Sequence, residues 1–224
     1  LLERIDPATN TVVARVELPD RSISAITADA TAVWVVTVGD DGGQPTGILV
    51  RIDATTNEIA AEIPLGPQVA GYDDSVMLGD GSVWVLGVRW FEEEDVEYGS
   101  DLIRIDPATN TVTSVAAVPG LLSSIAVGGG FAWTANETTG SVYKVDHSGT
   151  IVATYRTGEG AHDVSYAAGT MWVANQDAGT LTVIDADAGA QRGHSCGHPV
   201  GTRAAFGPYV LVVRAEGLTY EDRI

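Results

Sequence analysis

The hexapeptide Ile105-Asp106-Pro107-Ala108-Thr109-Asn110 occurs a second time, unchanged, from Ile5 to Asn10. With two changes it recurs as Ile52-Asp53-Ala54-Thr55-Thr56-Asn57. Looser copies stand at Val145-Asp146-His147-Ser148-Gly149-Thr150 and Ile184-Asp185-Ala186-Asp187-Ala188-Gly189. Successive copies are 47, 53, 40 and 39 residues apart. A period of about 40 to 50 residues, filled with short strands and turns, is the signature of a propeller blade. Such a unit buries its faces only against its neighbours, so residues 1–224 read as one domain.

Each repeat holds four short apolar stretches. In the third full unit they are residues 123–127, 131–135, 141–146 and 151–155, with Gly128-Gly129-Gly130 turning the first into the second. Strands rich in Val, Ile, Thr and aromatics, bounded by Gly, Asn and Asp, predict an antiparallel meander, here lettered a to d. No stretch keeps a 3.6-residue apolar period beyond a turn or two, so little or no helix is expected. The fold class is therefore an all-β propeller of four-stranded antiparallel blades. The repeats span about 1–18 (partial), 22–64, 69–117, 122–155, 161–194 and 202–224 (partial). Strands c and d from the N-terminus would join a and b from the C-terminus in one shared blade, closing a five-bladed ring and hiding its sheet edges. Leu218 to Ile224 also reads as a strand c, so a ring of six or seven blades, part of it outside this chain, is the alternative. The chain has no initiator Met and opens partway through a repeat, which suggests a piece of something larger.

The hexapeptide reads as turn chemistry at the c–d corner. Pro presets φ, and the Asp and Asn side chains are expected to bond nearby backbone amides. Trp34, Trp84, Trp133 and Trp172 recur on strand b, where a large ring is expected to pack between adjacent blades rather than form a cofactor box.

The net charge is -18, from 30 acidic and 12 basic side chains, and the one lysine is Lys144. That balance opposes nucleic acid and anionic lipid, which need clustered Lys and Arg. A cationic ligand, a metal ion or a basic protein patch is favoured. No apolar run approaches the ~20 residues that cross a bilayer. The single cysteine, Cys196, precludes an internal disulfide.

The segment Gly169-Thr170-Met171-Trp172-Val173-Ala174-Asn175, followed by Gly179-Thr180-Leu181-Thr182-Val183-Ile184-Asp185, resembles the YVTN-type and streptogramin-lyase-like propeller repeat. Gly81-Ser82-Val83-Trp84-Val85 and Gly140-Ser141-Val142 share the pattern. The resemblance covers nearly the whole chain and implies the fold more than the role. Similar repeats occur in surface-layer proteins, sensors and electron-transfer scaffolds. An extracytoplasmic or secreted bacterial module is the expectation, a cytoplasmic one the alternative. The lyase chemistry in this group implies a metal and a histidine proton carrier, but no matching His-x-Glu arrangement occurs here.

Propellers bind at a channel mouth lined by b–c loops, d–a loops and the first residues of strand a. Alignment on the Trp column puts Asp73, Asp74, Ser123, His162, Asp163 and Arg203 there. His162 beside Asp163 is the residue type for a general base or metal ligand, or simply a hydrogen-bonded tie between loop and strand. His194, Cys196 and His198 alternate on the following d–a stretch and fall on the same face. His and thiolate suit zinc or copper, yet the spacing matches no established zinc pattern. The largest insertion, residues 88–99, is a b–c loop in which Trp90, Phe91 and Tyr98 interleave with five carboxylates, fit for a cationic or aromatic ligand or a partner protein. Gly39 to Gln44 reads as a flexible turn, since it lacks the spaced ligands of a calcium loop. No nucleophile elbow, phosphate loop, His-Glu-x-x-His or paired Cys-x-x-Cys occurs.

These features lead to a binding, scaffold or sensor module that takes a small molecule or protein at one mouth, without a cofactor. The alternative is a metal-assisted lyase or hydrolase with His162 and Asp163 as acid and base.

Overall fold

The computed structural model describes residues 1–18, 22–41, 44–67, 69–89 and 99–195. Among these, regular structure is entirely β. A two-stranded ribbon comes first, β1 (Leu2–Asp6) with β2 (Thr11–Val16). Sheet I follows: β3 (Ser22–Ala28), β4 (Ala32–Asp41), β5 (Gln44–Asp53) and β6 (Ile59–Pro67). Sheet II is β7 (Val69–Gly79), β8 (Ser82–Arg89), β9 (Gly99–Asp106) and β10 (Thr111–Pro119). Sheet III is β11 (Leu122–Gly128), β12 (Phe131–Asn136), β13 (Ser141–Val145) and β14 (Ile151–Arg156). Sheet IV is β15 (Ala161–Ala167), β16 (Thr170–Asn175), β17 (Thr180–Asp185) and β18 (Gln191–Ser195). Every sheet is an up-and-down antiparallel meander in chain order. The first strands β3, β7, β11 and β15 neighbour one another from sheet to sheet, the arrangement of a β-propeller.

The core is a series of layers between successive sheets. Trp34 is 1% exposed and lies with Val76, Val83 and Ile103 of sheet II. Trp84 lies with Leu122, Ile125 and Val145 of sheet III, and Trp133 with Val164, Met171 and Ile184 of sheet IV. The rings thus pack between adjacent sheets, as expected. Trp172 is half-buried, because no described sheet packs beyond sheet IV. The first residue of the hexapeptide plugs the opposite face. Ile52, Ile105, Val145 and Ile184 are each at most 3% exposed, against the preceding sheet or ribbon.

The turn itself divides its labour differently from the expectation. The aspartate does cap the corner: Ala8 N–H donates to Asp6 Oδ1 at 2.8 Å, Thr55 to Asp53 at 2.8 Å and Ala108 to Asp106 at 2.8 Å. These bonds hold the turn carboxyls below the ordinary aspartate range, chiefly through the Ala8 amide for Asp6 and the Ala108 amide for Asp106. The asparagine side chain does not bond nearby amides. Asn10, Asn57 and Asn110 close the turn with φ of 55°, 59° and 55°, a region Asn tolerates. That conformation leaves the amide oxygen facing the preceding sheet, where it accepts a cation. Arg4 Nη1 reaches Ala54 O at 2.7 Å and Asn57 Oδ1 at 3.0 Å. Arg51 Nη1 reaches Pro107 O and Asn110 Oδ1, both at 2.9 Å. Arg104 Nη1 reaches His147 O at 3.4 Å, and Lys144 Nζ reaches Ala186 O at 2.7 Å. A cation two residues before the turn aspartates Asp6, Asp53, Asp106 and Asp146 therefore grips the turn of the next sheet.

Two other readings are corrected. Gly39, Asp40 and Asp41 are not part of a turn but continue β4, paired with Thr46, Pro45 and Gln44 of β5, while Gly42 and Gly43 lie outside the described residues. His194 is not in the d–a connection but in strand β18, opposite Leu181.

Candidate functional site

Strands a leave the ladder at one place each. Pairing in β3 skips from Ile23 to Ala25, in β11 from Leu122 to Ser124, and in β15 from Ala161 to Asp163. In β7 the break runs from Gly71 to Val76. The unpaired residues are Ser24, Ser123, His162 and the stretch 72–75 that holds Asp73 and Asp74. A bulge frees a residue from its ladder and re-aims its side chain. Of these, Asp73, Asp74, Ser123 and His162 are positions that the sequence alignment put at the mouth. They lie inside the first strand of each sheet, whose starts at Ser22, Val69, Leu122 and Ala161 coincide with the starts of the repeats.

The bulges are linked. Ser123 Oγ donates to the carbonyl of the bulged His162 at 2.6 Å, with the Ala161 carbonyl at 3.3 Å. One step along, Val164 N–H donates to Ser124 Oγ at 2.9 Å. Ser123 therefore serves as a tie between sheets III and IV.

The His162 side chain finds a partner the sequence did not suggest. Its Nε2 stands 3.0 Å from Glu137 Oε1, on the b–c loop of sheet III. Nδ1 is 3.9 Å from Asp163 Oδ1, beyond hydrogen-bond reach, and is buried without a partner. Adjacent residues on an extended strand do not aim their side chains at each other. The His162–Asp163 dyad is thus replaced by a His162–Glu137 pair that bridges two sheets.

Glu137 also lines a cavity of about 650 Å³ on this face, within the usual size of ligand pockets. Three segments enclose it: the b–c loop 137–140, the d–a connection 156–160, and Asp177 from the b–c loop of sheet IV. Their backbones are tied together. Thr157 N–H donates to Gly140 O at 3.0 Å, Gln176 N–H to Gly160 O at 2.7 Å and Ala178 N–H to Glu159 O at 3.1 Å. Gly140 has φ 61°, and a Cβ there would stand 2.5 Å from Gly158 O, so only glycine fits this wall. The ionisable lining is Glu137, Glu159 and Asp177 against one cation, Arg156. The frame is cross-linked by backbone hydrogen bonds and its charge is net negative.

Of the other sequence candidates, Asp73 and Asp74 have their backbone in β7 and His194 in β18, with side chains outside the described residues. Trp90, Phe91, Tyr98, Cys196, His198 and Arg203 lie outside the described residues altogether. Among those described, no three His, Cys, Asp or Glu side chains are gathered as metal ligands. No described helix is long and apolar enough to cross a membrane.

No family model and no curated protein matches the sequence. Among solved structures, the chain is similar to Hsv2 from Kluyvelomyces marxianus, with TM-score 0.58 and 12% identity over 82% of this chain and 56% of that one. It is similar to a protein of unknown function from Bacteroides caccae, with TM-score 0.55 and 12% identity over 95% and 79%. It is also similar to the WD40 repeats of RRP9, with TM-score 0.57 and 11% identity over 80% and 52%. The chain spans about half the length of Hsv2 and of RRP9. At these identities the likeness bears on the propeller fold alone.

Proposed function

We propose that this chain is a non-catalytic propeller module that binds through its mouth face, and that the seam between sheets III and IV receives an amine or guanidinium group. The reading rests on one observation above all. A cavity of about 650 Å³ with three carboxylates and one arginine sits on a backbone frame already bonded into shape. A preformed site loses less on binding than one that must be ordered. The net charge of -18 favours the same kind of ligand at longer range.

Residues 1–224 then act as one domain, and the mouth residues Asp73, Asp74, Ser123, His162, Asp163 and Arg203 belong to one face. In keeping with the YVTN-type resemblance, the module is an extracytoplasmic sensor or scaffold. His162 is a positioning residue in this reading, since its imidazole holds Glu137 at the cavity wall.

A thermal-shift series tests the proposal, with agmatine and ethylenediamine as probes in about 150 mM salt to screen diffuse attraction. A probe at 100 times its Kd stabilises by about 2.7 kcal/mol, which raises Tm by several degrees in a chain of this size. The rise is expected in the wild type and absent in the double variant Glu137→Gln, Asp177→Asn. No rise in the wild type, or an equal rise in the variant, overturns it.

A further inference from the structure

Arg156 stands apart from the carboxylates that share its cavity. It is the last residue of β14, at the edge of sheet III, and pairs with Ser141 of β13. Ser141 pairs in turn with Asn136 of β12, the residue before Glu137. Two strand spacings, about 10 Å of backbone, therefore separate Arg156 from the strand end that carries Glu137. Glu137 meets His162 of the inner strand β15, so it marks the inner end of the cavity and Arg156 the outer end. Glu159 and Asp177 stand near the start of β15. Glu159 is two residues before Ala161, and a Cβ on Gly160 would lie 2.7 Å from Asp177 Cγ.

The opposite charges of this cavity do not neutralise one another. Among the described residues, Glu137 pairs with His162, while the Arg156 guanidinium and the Glu159 and Asp177 carboxylates form no ion pair. The backbone keeps them apart. Thr157 N–H donates to Gly140 O at the outer end, and Gln176 N–H donates to Gly160 O near the inner end. The connector 156–160 is thus fastened at both ends, with its arginine at one and its glutamate toward the other.

That layout narrows the ligand. A plain amine or guanidine answers the carboxylates but brings a second cation into the cavity of Arg156. A carboxylate is the group that a guanidinium fork takes best, through two parallel N–H donors. Several carboxylates toward one end and one guanidinium at the other match a molecule with two cationic groups and one carboxylate. Building on the cation site proposed above, we propose that the ligand is a free basic α-amino acid. Arg156 holds its carboxylate at the outer end, and Asp177, Glu159 and Glu137 share its α-ammonium and side-chain cation. A cavity of about 650 Å³ is ample for one such molecule in extended form.

Titration calorimetry in about 150 mM salt tests this with three probes: L-arginine, agmatine, which lacks the carboxylate, and N-acetyl-L-arginine, which lacks the α-ammonium. In the wild type, L-arginine is expected to bind about tenfold more tightly than agmatine, the scale of one hydrogen-bonded charge pair. Arg156→Gln is expected to abolish that preference by weakening L-arginine. Agmatine should bind the variant more tightly, since a like charge is gone, and this binding also reports that the variant is folded. Agmatine binding the wild type as well as L-arginine does, or a preference that survives Arg156→Gln, overturns the amino-acid assignment while leaving the cation site standing. N-acetyl-L-arginine binding as tightly as L-arginine overturns it too, in favour of a peptide C-terminus. Binding of none of the three removes the cation site itself, and the assignment with it.

Discussion

Ser123 Oγ lies 2.6 Å from the carbonyl oxygen of His162, so the bulged residue of one inner strand holds the bulged residue of the next. The bond sits where two sheets meet at the mouth, and it positions the backbone from which His162 reaches Glu137. Ser123→Ala removes a donor from a part-buried carbonyl. The expected cost is about 1 kcal/mol in chemical denaturation. Agmatine affinity is expected to fall with it, because the cavity wall loses its alignment.

The Arg51 grip on the following turn combines two acceptors at 2.9 Å with the face of Trp34, 5.2 Å from the guanidinium carbon. Arg51→Ala is expected to cost about 2 kcal/mol, in the range for hydrogen bonds to a charged group plus a cation–π contact. Arg51→Lys should recover only part of this, since the two bonds come from Nη1 and a compact ammonium keeps them only by giving up the planar guanidinium over the Trp34 ring. A double-mutant cycle with Asn110→Ala should return a coupling of about 1 kcal/mol.

Gly128 ends β11 beneath the ring of Tyr166 on the next inner strand. A Cβ there would fall 1.9 Å from Tyr166 Cδ1. Gly128→Ala is expected to destabilise by about 1–3 kcal/mol through overpacking. Tyr166→Ala in the same chain should restore part of the loss, which a purely local backbone effect at Gly128 would not allow.

The turn aspartates give the protein an acid limb. Asp106 is held below its ordinary value of 3.8, first by the Ala108 amide and then by the Thr109 hydroxyl. Between its lowered native value and 3.8 the unfolded chain binds more protons than the folded one, so stability falls as pH falls. The contribution is complete above about pH 4 and disappears below the native value. Asp106→Asn is therefore expected to be less stable than the wild type at pH 7. The gap should narrow as pH drops below the ordinary aspartate value of 3.8, read by urea midpoints at fixed ionic strength. A gap independent of pH would contradict the role given to the ionised carboxylate.

Much of this architecture was legible because the repeat imposes it. The third unit's four strands, read from Val, Ile, Thr and aromatic runs between glycines, fall within a residue or so of β11 to β14. The tryptophan column announced the layers between sheets, since a ring at a fixed place in each unit must face the same neighbour. The grip of Arg4, Arg51, Arg104 and Lys144 left a signal that a single unit does not display: a cation two residues before the turn aspartate in four of the five copies. It becomes visible only when the copies are stacked. The His162–Glu137 pair left no such signal. Glu137 occurs on a loop of variable length in the preceding sheet, and nothing local to His162 anticipates it. Asp163 looked the better partner because it is adjacent in the chain, and the extended backbone is what separates the two side chains.

The most direct measurement is to map where a cation binds, by amide chemical-shift changes on titration of the labelled chain with agmatine. The account predicts saturable shifts confined to the mouth face, centred on residues 137–140, 156–160 and Asp177, with His162 responding through Glu137. Shifts centred instead on the c–d turns around Asp53, Asp106 and Asp146, or spread evenly over the acidic surface, would contradict it.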